Sequence, residues 1–162
     1  MPRTATPLLL AISLTLLPVM NAHGQSRASE LSTLRDAIEG SVAAFSRGPS
    51  ANAFNELLKE HWFKSTEAQS TATTLDAALQ ANRGAAELRL GKAIPGAYEF
   101  LGVRRLGASV AKLVYVLKHE HGVIPLVFDC YRAGDVWRIL GVHYGDSAMD
   151  DMKTLAVVER SN

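Results

Sequence analysis

Apolar residues recur along the first third of the chain at helical spacing. Leu31, Leu34, Ile38, Val42 and Phe45 fall at three- and four-residue steps, one stripe of a 3.6-residue period. They predict a helix over about Glu30–Ser46, with Ser29 as N-cap and Arg47-Gly48-Pro49 as its stop. Phe54, Leu57, Leu58, His61 and Trp62 predict a second helix from near Ser50 to Phe63, and His61 on that face reads as a packed histidine. Lys64–Thr74 is rich in Ser, Thr and Ala with weak periodicity, and reads as loop or loose helix. Leu75, Ala78, Leu79, Ala86 and Leu90 predict a third helix, with Gly91 as C-cap and Pro95-Gly96 as connector.

From Tyr98 the period drops to two. Four strands follow, at Tyr98–Leu106, Ser109–His119, Val123–Arg132 and Val136–Tyr144, with Gly107, Gly122 and Gly134 marking the turns. Helices first and hairpins second give an α+β fold: three N-terminal helices packed on one face of a curved four-stranded antiparallel sheet. Gly145–Asn162 is a tail or a short helix.

Alternation assigns the two faces of the sheet. Leu113, Tyr115, Phe128, Cys130, Trp137, Ile139 and His143 go inward, because those faces lack mid-strand charge. Lys112, Asp129 and Arg138 go outward, together with Val110, Val114, Val116, Val127, Leu140 and Val142. So apolar an outer face calls for a cover, and a second copy of the chain is the simplest one. A homodimer through Val114, Val116, Val127, Leu140 and Val142 is therefore expected. The rival is that Met149–Val158 folds back over the same patch.

The N-terminus changes the picture of where the chain works. Arg3, the apolar run Leu8–Val19 and the small residues of Ala22-His23-Gly24 read as a secretory signal peptide cut after Gly24. The run is short of the ~20 residues a bilayer span requires. The expectation is an exported protein, periplasmic or secreted, with no membrane anchor after cleavage. One domain then occupies residues 25–148, and 149–162 form the tail. Seventeen basic against 16 acidic residues leave almost no net charge, so nothing steers the chain to nucleic acid. The single cysteine, Cys130, excludes an internal disulfide and reads as a buried inert thiol.

Three helices followed by a hairpinned sheet with an aromatic-rich last strand resemble the nuclear transport factor 2-like superfamily. The matching residues are Tyr98-Glu99-Phe100, Arg105-Leu106-Gly107-Ala108-Ser109, Tyr115, Lys118, Phe128, Tyr131-Arg132 and Trp137-Arg138-Ile139. The nearer likeness is to small exported members without an assigned role. The resemblance implies a cone, in which a curved sheet wraps the helices and leaves a pocket. It also implies that the outer face is a dimer surface in many members. It does not imply one function, since members include isomerases, dehydratases, cyclases and binding modules.

A pocket inside such a cone would be lined by Tyr98, Tyr115, Phe128, Cys130, Trp137 and His143. Acid–base chemistry there would need a carboxylate or a histidine–carboxylate dyad. His143 and Tyr115 are the candidate catalytic residues. Asp129 faces out unless the third strand slips by one residue. His119, Glu120 and His121 share a hairpin turn and lack a fourth ligand, so they read as a polar turn and no metal is expected. No cofactor motif stands in the chain. The sequence thus favours a module that binds an unknown small ligand or a protein partner. An isomerase or dehydratase using His143 and Tyr115 is the alternative.

Overall fold

The computed structural model describes residues 22–48, 53–150 and 152–153. The leader reading therefore falls mainly on residues 1–21, outside the described residues. So do the start of the second helix at residues 49–52 and the tail beyond residue 153. Helix α1 spans Ala22–Arg47, α2 Asn55–His61 and α3 Ala68–Leu90, and a 3-10 turn at Ser65–Glu67 leads into α3. Strands β1 (Ala93–Arg105), β2 (Val110–His119), β3 (Gly122–Ala133) and β4 (Val136–Tyr144) form one antiparallel sheet in the order β1-β2-β3-β4. A second 3-10 turn, Gly145–Ala148, follows β4. The α+β fold with three helices ahead of a four-stranded antiparallel meander is thus as the hydrophobic pattern expects.

The helical stripe and the inner sheet face meet in one core. Leu31, Leu34, Ile38, Val42 and Phe45 of α1 are buried with Leu113, Tyr115, Leu126, Phe128, Cys130, Trp137 and Ile139. A chain of aromatic rings runs through it. Phe100 touches Tyr115, Tyr115 touches Phe128, Phe128 touches Phe54, Phe54 touches Phe45, and Phe45 touches Tyr144, with centroids 5.0–6.3 Å apart. Such tilted and edge-on pairs add to the area they bury. Arg83 of α3 donates to the Phe45 carbonyl at 2.7 Å, satisfying an end of α1 that has no helical partner of its own.

Several local readings need correction. Helix α1 begins at Ala22, so Ser29 lies inside it and is not its N-cap. Residues 68–74 belong to α3, because Ala68 and Ala72 pack into the core and Thr73 and Thr74 return their hydroxyls to the carbonyls of Gln69 and Ser70. Pro95-Gly96 lies inside β1, at a register irregularity between Ala93 and Tyr98. Gly122 is absent from the glycines with positive φ. It is small for another reason: a Cβ there would stand 3.2 Å from Leu90.

The fourth strand carries the change with the widest effect. Cys130 pairs with Ile139, yet the neighbouring Asp129 pairs with Gly141, so Leu140 is an extra residue in β4. A one-residue bulge reverses every side chain beyond it. Trp137 and Ile139 face inward as expected. Past the bulge Val142 and Tyr144 pack against the core, and His143 turns to the outer face beside Asp129.

Candidate functional site

The edge of the sheet at β4 is where helices and chemistry meet. Trp62 forms a parallel bridge with Ile139, and the Phe63 N–H donates to the Ile139 carbonyl at 3.1 Å. Arg138 donates to the Glu60 carbonyl. This short connection covers part of an otherwise open strand edge. Beside it, α3 and β4 stand apart and leave a cleft of ≈ 480 Å³. Its helical wall is Ser70, Thr71, Thr74, Leu75 and Ala78, and its strand wall is Gly141, Val142 and His143, with Trp62 at one end.

His143 joins the cleft to a charged group on the outer face. Its Nε2 lies 3.0 Å from Asp129 Oδ2, and Lys112 Nζ lies 2.9 Å from Asp129 Oδ1. These three residues come from three adjacent strands, β2, β3 and β4. Gly141 makes the arrangement fit. A Cβ on it would lie 3.5 Å from His143 Nε2 and 3.9 Å from Asp129 Cβ, so an alanine is accommodated in ordinary contact and a larger side chain would press on the pair. A carboxylate has only lone pairs to offer, so Nε2 donates to it and Nδ1 of the neutral ring is left as an acceptor.

The expected site residues are divided. Tyr115, Phe128, Cys130 and Trp137 lie on the inner face, where aromatic rings occupy the space expected to be hollow. Burial pushes the Tyr115 hydroxyl well above its ordinary range and the Cys130 thiol up to about 12. Tyr98 donates to Glu39 Oε1 at 3.2 Å on α1. His143 lies on the opposite face of the sheet from Tyr115, so the structure does not bring together the expected catalytic pair. From the expected pocket residues the cleft takes His143.

The residues missed were those of α3, together with Trp62, Gly141 and Val142. Thr71, Thr74, Leu75 and Ala78 repeat at helical spacing, which is a legible signal once residues 68–74 are read as helix.

The outer face is also partly closed. Val114 and Val127 are fully buried, clustered with Ala148 of the second 3-10 turn and with Leu101. Val116 is buried too, whereas Leu140 is exposed and Val142 faces the core. Within the chain Lys112 and Asp129 pair with each other, and Arg138 donates to the Glu60 carbonyl of α2.

The hairpin turn of His119, Glu120 and His121 holds the end of α3. His119 Nδ1 lies 3.0 Å from the Gly91 carbonyl, the Lys92 N–H donates to Glu120 Oε2 at 3.0 Å, and the His121 N–H donates to the Leu90 carbonyl at 2.9 Å. Neither a family model, nor a curated protein, nor a solved structure matches this chain.

Proposed function

We propose that this chain is an exported small-molecule-binding domain, built on a nuclear transport factor 2-like plan, whose site is the α3–β4 cleft. The observation that carries the reading is the cleft: ≈ 480 Å³, walled by Trp62, Leu75, Ala78 and Val142, with His143 as the titratable group on its wall. Small-molecule sites are commonly ~300–1,000 Å³, apolar, and furnished with a few placed polar groups. The likeness to the superfamily rests on the order of elements, and export on Arg3, Leu8–Val19 and Ala22-His23-Gly24. The isomerase or dehydratase alternative retains His143, now with Asp129 as its carboxylate, and loses Tyr115.

Ala78→Trp tests the reading by filling the cleft from its helical wall. The wild-type protein should bind the neutral dye N-phenyl-1-naphthylamine saturably with one-to-one stoichiometry, and Ala78→Trp should abolish that binding with the far-ultraviolet circular dichroism unchanged. A folded variant that still binds the dye equally well places the site elsewhere.

A further inference from the structure

We propose that the ligand of this cleft is a neutral, flat, apolar molecule whose polar group donates a hydrogen bond, an N–H or an O–H, to His143 Nδ1. The inference rests on the cleft being the binding site and adds the chemistry of what enters it.

The Ser70 and Thr74 hydroxyls and the His143 ring offer acceptors to the cleft, and Trp62 Nε1 is a buried donor without a partner among the described residues. Ser70 Oγ donates to the Glu67 carbonyl at 3.0 Å, and Thr74 Oγ1 donates to the Ser70 carbonyl at 3.0 Å. Each hydroxyl has thereby spent its one proton inside α3, and what remains for a ligand is lone pairs. With its ring neutral, His143 offers Nδ1 as an acceptor: Asp129 takes the Nε2 proton, and Lys112 holds the other carboxylate oxygen, so the carboxylate stays in place. Thr71 is the one hydroxyl of the cleft free to act either way among the described residues.

A ligand carboxylate placed at His143 would meet the lone pair of Nδ1, with the Asp129 carboxylate behind the imidazole. A ligand that only accepts would leave His143 Nδ1 unpaired once water is displaced, which costs the desolvation of that nitrogen. A donor satisfies it. The apolar remainder of the ligand lies against Trp62, Leu75 and Val142.

Three probes of similar size separate these cases: indole, which has one N–H donor and no strong acceptor; 1-methylindole, which lacks the donor; and 2-naphthoate, which is an anion. Binding is followed by shifts of the His143 ring protons in NMR titrations of the protein. Indole should bind about tenfold more tightly than 1-methylindole, the worth of one well-placed hydrogen bond. The anion should bind most weakly. In Asp129→Asn the amide can donate to Nε2, which frees the ring to take the other tautomer, so the preference for indole should disappear while 1-methylindole binds as before. Equal binding of indole and 1-methylindole to the wild type, or a preference for 2-naphthoate, overturns the inference and leaves the cleft standing as a site. Asp129→Asn with the preference for indole intact also overturns it. If none of the three probes shifts the His143 signals, the binding-site reading itself falls.

Discussion

Asp76 shows how one residue can work against the fold that contains it. It lies on α3, 6% exposed, near the start of α2. Burial raises its carboxyl above the ordinary range, and the Phe54 backbone N–H pulls the other way with less effect. A carboxyl raised on folding ionises at a cost, so this residue's contribution to stability falls as pH climbs from the unfolded value, near 3.8, through the folded one. Asp76→Asn keeps the shape and an acceptor for the Phe54 N–H while removing the charge. At pH 7 it should be more stable than wild type by roughly 1 kcal/mol or less, and the two should coincide at pH 3. Urea denaturation at both pH values checks this, and a variant less stable at pH 7 would mean that the ionised form is the favoured one.

Among the elements, α3 and β4 show what a sequence pattern can and cannot carry. Strand β4 has the expected bounds, Val136–Tyr144, because β-favouring Val136, Trp137 and Ile139 follow the turn at Gly134. The bulge at Leu140 was missed: leucine has no special turn chemistry, and the one cue was its neighbour Gly141, since a glycine inside a strand often marks a bulge. That one residue moved His143 to Asp129 and Val142 to the core. Helix α3 was half legible: its end at Gly91 was marked by a glycine with φ 76°, while its first turns hid in a run of Ser, Thr and Ala. The Gly91 position is also crowded, for a Cβ there would stand 2.6 Å from Glu120 Oε2. Gly91→Ala should therefore lose roughly 1–3 kcal/mol, from a left-handed alanine and a displaced Glu120. Thermal denaturation reads the loss, and hydrogen exchange should show it as faster opening of the last turn of α3.

For the whole molecule the question is what covers the second face of the sheet. Sequence alternation found that face correctly on β2 and β3, and found it too apolar to be wet. It could not choose between a second copy and the chain's own end, because both bury the same valines. In the single chain Val114 and Val127 are covered with the help of Ala148, and Val116 is 4% exposed. Val116→Lys then places a charge in a closed site and should cost roughly 2–4 kcal/mol at every protein concentration. Light scattering combined with denaturation distinguishes the outcomes. A variant that stays as stable as wild type and only halves its mass would mean that a partner copy supplies the cover.

The lone thiol turns this packing into a form of redox protection. Cys130 is fully enclosed beneath the helices, its Sγ 3.7 Å from the Phe128 carbonyl, and burial keeps it protonated. Oxidants and other thiols act on the thiolate, which the native molecule does not present. A covalent link between two chains can therefore form only while the core is open. In an oxidising medium, the fraction of time spent open sets the rate at which two chains are joined by a disulfide. A substitution that loosens the aromatic chain raises that fraction, however far it lies from Cys130.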